Sequence, residues 1–257
     1  MDLLLKDKVA MISGGSKGIG FYIAKDLTAE SCHIVISARG EEGLKQAVEE
    51  INRQGNGNAI AFPGDITRKG VPEAFLRKTL GAHGGVDILI NNVGGADPKL
   101  LVETTDEDWQ KAFELNLFHA VRLSRLVLPE MKKRGGGSIL NIASIAGRES
   151  GSAMAYNSAK AAMISFSKAL AQQTAQDNIR VNSLAPGSIF FPGGVWERRM
   201  AASPDGLRGF VESSLPYGRF GRPEEVSAVA VFMVSPRASL VHGACWNVDG
   251  CQSRSNI

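Results

Sequence analysis

Val9-Ala10-Met11-Ile12-Ser13-Gly14-Gly15-Ser16-Lys17-Gly18-Ile19-Gly20 carries four apolar residues through a glycine-rich turn into a helical stretch reaching about Glu30. An apolar run this short, closed by a turn, reads as a buried strand rather than a helix. Gly14, Gly18 and Gly20 therefore fall between a first strand and a first helix, spaced Gly-x3-Gly-x-Gly. Glycines at such a junction let the backbone turn tightly and approach a pyrophosphate, which sits at the positive helix N-terminus. A glycine-rich turn with no ligand is the competing reading of the spacing alone, and the strand-turn-helix context argues against it.

The same alternation continues along the chain. Further strands are expected at 33–37, 58–62, 86–90, 138–142, 179–184 and 246–248. Helices are expected at 41–54, 72–80, 107–133 (bent by Pro129), 155–176 and after Pro223, which suits a first helical position. Short apolar runs alternating with helices predict an α/β fold, a doubly wound parallel sheet covered on both faces. No stretch has the composition of a linker, so residues 1–257 are read as one domain.

Composition narrows the function classes. A net charge of +3 on 257 residues is too mild to argue for nucleic acid. Lys132, Lys133 and Arg134 precede Gly135-Gly136-Gly137 and read as the last turn of a helix, complementing its dipole. The three cysteines, Cys32, Cys245 and Cys251, are odd in number and scattered, which fits a reducing, cytoplasmic setting. His242, Cys245 and Cys251 match no common zinc spacing, so no metal is expected. The leucines of residues 1–9 are broken by Lys6, Asp7 and Lys8, too soon for a signal segment or a membrane span.

Tyr156 and Lys160 stand four residues apart, on one helix face, and Ser144 lies twelve residues before the tyrosine. An ammonium beside a phenol favours the phenolate, so the Tyr156 pKa is expected to fall. Such a phenol passes a proton to or from a substrate oxygen, which a serine hydroxyl arriving from the preceding strand end would hold.

Taken in order, these motifs resemble those of the short-chain dehydrogenases/reductases, in particular the 3-oxoacyl-(acyl-carrier-protein) reductase-like members. The glycine turn is followed by Asn91-Asn92-Val93-Gly94, Asn116 in Leu115-Asn116-Leu117, Ser144, Tyr156 and Lys160, Pro186-Gly187, and Asn247-Val248-Asp249-Gly250. The resemblance covers essentially the whole chain. It implies a Rossmann-type, seven-stranded parallel sheet and hydride transfer between a nicotinamide and a carbonyl or secondary alcohol. It implies Tyr156 as general acid/base, Lys160 as the residue that tunes it and binds the nicotinamide ribose, Ser144 as the oxygen holder, and Asn116 as the anchor of a water relay. For the cofactor it implies Gly14, Ser16, Lys17, Gly18, Ile19, Gly20, Asp65, Ile66, Asn92, Gly94, Pro186, Gly187 and Ile189. Asp65 also reads as a cap for the next helix. A dinucleotide-binding regulator without chemistry is the alternative of another class, and the intact Ser144, Tyr156, Lys160 and Asn116 argue against it.

The second strand ends Ile36-Ser37-Ala38-Arg39-Gly40, with no acid at its tip. An arginine there accommodates a 2′-phosphate, so Arg39 together with Lys17 favours NADP(H) over NAD(H). Glu41 and Glu42 are read in the first turn of the next helix, where the dipole favours acids. The segment after Pro186-Gly187 is expected to wall a small-molecule carbonyl or alcohol substrate with Phe190, Phe191 and Trp196. Arg198 and Arg199 either meet an anionic substrate or face water. Phe191 stands near a threonine common in the family, and Cys251 replaces a common glycine. The basic run 132–134 is a candidate dock for an acidic acyl carrier. The family's paired interface helices imply a homotetramer, and Ala155, Ala159, Ala161, Ala162, Ala169 and Ala171 would let such helices approach closely.

Overall fold

The computed structural model describes residues 1–151 and 153–256. Seven strands form one sheet: β1 (Val9–Ser13), β2 (His33–Ala38), β3 (Asn58–Pro63), β4 (Ile88–Asn91), β5 (Gly137–Ile142), β6 (Ile179–Pro186) and β7 (Cys245–Val248). Their order is β3-β2-β1-β4-β5-β6-β7 and every pairing is parallel. The winding reverses between β1 and β4, and ligands of such sheets bind in the crevice beyond the strand ends at that point.

The helices are α1 (Gly18–Ala29), α2 (Glu41–Gln54), α3 (Val71–His83), α4 (Asp106–Phe113), α5 (His119–Lys133), α6 (Met154–Thr174), α7 (Val195–Ala202), α8 (Pro204–Ser214) and α9 (Pro223–Val234). Side chains alternate along each strand, so neighbouring residues feed opposite cores. Ala10 and Ile12 of β1 pack with Leu27 of α1, Leu44 of α2 and Val226 of α9. Met11 between them joins Phe75 of α3, Leu123 and Val127 of α5 and Leu170 of α6. This two-sided burial is why the strands read as unbroken apolar runs.

Two expectations about the elements need correction. The helix expected over 107–133 is not continuous: residues Glu114–Phe118 form a π-helical segment between α4 and α5. Pro129 lies inside α5, which runs to Lys133 as expected. The fourth strand runs Ile88–Asn91 rather than 86–90, and Asp87 before it bonds the Val9 amide (2.8 Å) and the Arg134 guanidinium (2.9 Å) through its carboxylate. α7 and α8 were not expected from the sequence: α7 buries no residue, and α8 sets Leu207, Phe210 and Val211 on one face but buries only Leu207.

The basic run is spent inside the chain. Lys132 pairs with Asp177 (2.8 Å), Lys133 with Glu130 (2.7 Å) and Arg134 with Asp87 (2.9 Å). The His242 Nδ1 accepts the Val181 amide at 3.0 Å. Among the described residues no helix is long and apolar enough to cross a membrane.

Cys251 adopts a left-handed backbone with φ 65°, a conformation that favours glycine. That conformation costs an ordinary residue roughly 1–2 kcal/mol. The side chain is exposed, so little packing is lost on its removal. Cys251→Gly is expected to stabilise the protein by about 0.5 kcal/mol, once the greater chain entropy of glycine is set against the relieved strain. The urea midpoint should rise, and an unchanged or lower midpoint would contradict the strain.

Candidate active site

The carboxyl ends of the central strands open into one cleft of about 2050 Å³. The glycine turn forms its floor at the β1 end. The Gly14 and Gly15 amides donate to the Ser37 carbonyl of β2 (2.8 and 3.0 Å), which fixes the turn to the sheet. The Asn92 side-chain amide donates to the Gly14 carbonyl (2.8 Å) and to the Ser13 carbonyl (3.2 Å). A Cβ on Gly20 would collide with that carbonyl and that amide, so only glycine lets α1 start this close. Asn91 reaches sideways to Asn141 of β5 (2.7 Å), which donates in turn to Ser167 of α6 (2.7 Å). Gly14, Ser16, Lys17, Ile19, Asn92 and Gly94 line the cleft, whereas Gly18 and Gly20 are buried beneath it.

Arg39, exposed at the tip of β2, lines the cleft together with Asp65 and Ile66. The Asp65 carboxylate accepts the Thr67 amide (3.1 Å) and hydroxyl (2.7 Å). Burial works to raise its pKa, but the Thr67 bonds and the Arg39 and Arg68 charges together take it below the ordinary carboxylate value. Asp65 does not cap α3, whose N-cap is Gly70. Glu41 and Glu42 do lie in the first turn of α2, and Glu42 accepts the Gln46 amide (2.9 Å). Lys17 is not turned toward Arg39 alone: its ammonium donates to the Gly193 carbonyl at 2.9 Å.

At the other end, Ser144 follows β5 and starts a short turn, accepting the Ala146 amide at 3.1 Å. Tyr156 lies in the first turn of α6 and lines the cleft together with Ser144, whose hydroxyl is near enough to act on the Tyr156 phenol. Lys160, one turn further, is 2% exposed, and its ammonium donates to the Ile142 carbonyl at 2.7 Å. That ammonium is 5.8 Å from the Tyr156 ring centre. The expected fall in the Tyr156 pKa is not found: burial raises it, and the Ser144 hydroxyl offsets this only in part. The lysine is the group brought toward neutrality, lowered to about 7 by burial.

Asn116 sits in the π-helical segment, fully buried and off the cleft wall. Its Oδ1 accepts the Gly95 amide and its Nδ2 donates to the Gly95 and Ala112 carbonyls, all at 2.9 Å. Between them lies Gly94, where a Cβ would stand 2.8 Å from Asn116 Oδ1 and 3.1 Å from Lys160 Nζ. A side chain at 94 would therefore push apart the two groups the sequence put in one relay. His119, one turn on, was not anticipated. It is buried, its Nε2 lies 3.0 Å from the Val93 carbonyl, and it is pushed down to about 3, by burial first and the Lys160 charge second.

Pro186, Gly187 and Ile189 line the cleft after β6, as do Phe191 and Trp196. Phe190 does not: its ring packs on Phe220 (5.9 Å between ring centres) and its amide donates to Gly221. Phe191 lies over the glycine turn, its ring 2.8 Å from where a Cβ on Gly18 would be.

Residues 8–193 match the family described as short chain dehydrogenase. The chain belongs to the short-chain dehydrogenases. It is 34% identical to the 3-oxoacyl-[acyl-carrier-protein] reductase of Chlamydia muridarum, over 97% of this chain and 99% of that one. The L-sorbose reductase of Gluconobacter frateurii, solved with NADPH and L-sorbose, superposes with a TM-score of 0.93 at 34% identity, covering 99% of this chain and 100% of that one. A 7α-hydroxysteroid dehydrogenase, solved with NADH and 7-oxo glycochenodeoxycholic acid, gives 0.90 at 34%, covering 99% and 97%. The fold is thus the family's Rossmann-type sheet, and the chain is an oxidoreductase of this family.

Sequence reasoning missed further residues of the cleft wall. Phe210 and Ser214 of α8 line it, as does Arg148, whose guanidinium donates to the Cys245 carbonyl at 2.7 Å. They come from elements far apart in the chain, and no spacing announces them.

The buried Lys160 makes stability depend on pH. Its folded pKa, about 7, lies below the unfolded value, so the unfolded chain holds the extra proton between them. The full cost of burying the charge is present below pH 7 and fades as pH rises toward that of free lysine. Lys160→Met should gain melting temperature over the unmutated protein at pH 6, and the gain should shrink by pH 10. A difference that stays constant with pH would refute the buried-charge account.

Proposed function

We propose that the chain is an NADP(H)-dependent oxidoreductase that moves hydride between the nicotinamide and a small-molecule carbonyl or secondary alcohol, with Tyr156 passing the proton. The observation that carries this reading is the meeting of Ser144 and Tyr156 on one cleft wall, with the buried Lys160 one turn behind the tyrosine. When bound, the nicotinamide supplies the hydride in reduction and takes it up in oxidation. The residues present fit the cofactor. The glycine turn of Gly14, Ser16 and Ile19 would cradle the pyrophosphate at the start of α1, and Arg39 with Lys17 would face a 2′-phosphate. Asp65 and Ile66 would flank the adenine, while Asn92, Gly94, Pro186, Gly187 and Ile189 would border the nicotinamide half.

Burial keeps the Tyr156 phenol protonated at neutral pH, so in reduction it is a donor already loaded. Ser144 orients the substrate oxygen toward it. Lys160, titrating near 7, exchanges a proton at neutral pH, and Asn116 braces Gly95 beside it. Trp196, Phe191 and Phe210 offer an apolar wall to the substrate.

Tyr156→Phe removes one oxygen and little volume. Across a panel of ketones with NADPH it should lower turnover by about 10²–10⁴-fold and leave the NADPH dissociation constant nearly unchanged. Near-normal turnover in that variant, with chemistry rate-limiting, would sink the assignment. Equal dissociation constants for NADPH and NADH in the unmutated protein would sink the cofactor preference.

The assembly we propose is a homotetramer built on α4–α5 and on α6. The small outward face of α6, with Ser158, Ala161, Ser165 and Ala169 exposed, supports close helix packing, whereas Ala159 and Ala171 are used inside the chain. Light scattering at micromolar concentration should give four times the chain mass, and a monomer mass would overturn it.

A further inference from the structure

We propose that Arg198 of α7 is a cofactor-binding residue: with Lys17 it forms a two-cation clamp on a phosphoryl group of the dinucleotide. This rests on the dinucleotide-binding reading given above. The observation is a convergence across the chain. The Gly193 carbonyl accepts from the Lys17 ammonium at 2.9 Å and from the Arg198 guanidinium at 3.1 Å. Two donors on one oxygen lie within about 6 Å of each other, so like charges from the glycine turn and from α7 are held side by side. Among the described residues no carboxylate stands within ion-pair distance of either. The nearest acid in sequence, Glu197, accepts the Gly193 amide at 2.7 Å. By contrast Arg122, Arg134 and Arg219 all have carboxylate partners.

The clamp stands where phosphate is expected. Lys17 is the N-cap residue of α1, whose N-terminus is the anion-binding end of the helix. Phe191 lies on Gly18 in the same turn, so the segment that carries Arg198 already rests on the phosphate-binding backbone. Lys17 and Arg198 both line the cleft. An anion between two unpaired cations relieves their repulsion and gains charge-assisted hydrogen bonds, with the guanidinium able to bind two oxygens at once.

The clamp also ties cofactor to substrate wall. Trp196 is two residues before Arg198, stacks on Phe210 (4.7 Å between ring centres) and meets Phe220 at a tilt (5.0 Å). α7 buries nothing of its own, so a phosphate held by Arg198 would be a principal restraint on it. Filling the phosphate site thus sets the position of the aromatic wall.

The test measures dissociation constants of the unmutated protein, Arg198→Ala, Arg198→Lys, Lys17→Ala and Arg199→Ala for NADPH, adenosine 2′,5′-bisphosphate and ADP-ribose. Arg199 is the control, since its guanidinium lies over Trp196 (4.8 Å) and not on Gly193. Arg198→Ala should weaken NADPH about tenfold, Arg198→Lys less, and Arg199→Ala less than twofold. Weakening confined to the bisphosphate assigns the clamp to the 2′-phosphate, and weakening confined to ADP-ribose assigns it to the pyrophosphate; either supports the proposal. Hydrogen exchange of residues 191–202 should slow on NADPH addition in the unmutated protein and much less in Arg198→Ala. If Arg198→Ala binds all three ligands within twofold of the unmutated protein, the clamp is wrong while the functional reading stands. If the unmutated protein binds no dinucleotide, both fall.

Discussion

An ammonium group with almost no access to water sits at the centre of this structure. Lys160 is 2% exposed, and its nitrogen is fastened to the Ile142 carbonyl at the end of β5. Desolvating that charge is costly, and the surroundings are arranged around the cost. Gly94 offers no side chain where the nitrogen needs space. His119, close enough to feel the lysine charge, is held neutral, so it adds no second cation. Asn116 satisfies both polar groups of Gly95 and keeps the β4 loop in place beside the nitrogen. The site is consequently a sheet edge, a loop and two helices locked to one buried nitrogen.

The π-helical segment follows from the same constraint. Asn116 bonds to Gly95 on one side and to the Ala112 carbonyl on the other. A regular helix from 106 to 133 would keep every carbonyl in its ladder. Widening at Glu114–Phe118 interrupts that ladder at the asparagine that braces the β4 loop. Such widenings gather at functional sites because they turn one side chain without moving the helices on either side. Here α4 and α5 still pack on the fold while Asn116 turns to the loop.

The alternation of short apolar runs and helices made the sheet legible, because strands buried on both faces must be apolar throughout: β1 is buried at all five positions. The glycine turn, Ser144, Tyr156 and Lys160 were legible because their spacing is local, one turn or one loop. What the letters did not convey was environment. Charge proximity predicts a lowered tyrosine pKa, but burial acts on both partners and raises the phenol while lowering the lysine. The π-helical segment escaped because its composition is that of an ordinary helix. Lys17 was read, with Arg39, as a cation for a 2′-phosphate, and its bond to Gly193 spans 176 positions, a separation no motif encodes. Lys132 to Arg134 read as a free basic run for a similar reason, since Asp87 and Asp177 come from other elements.

The substrate is the least legible part, and the structure explains why. The wall opposite Tyr156 is built on α7 and α8, which together bury only Leu207. It is held by aromatic stacking among Trp196, Phe210 and Phe220 rather than by the core. Elements with so few buried contacts contribute little to global stability, so their residues are free to vary without endangering the sheet. Relatives named for an acyl-carrier substrate, a sugar and a steroid are each 34% identical to this chain. The aromatic wall, drawn from α7, α8 and the loop before α9, depends for its position on the few side chains it rests against.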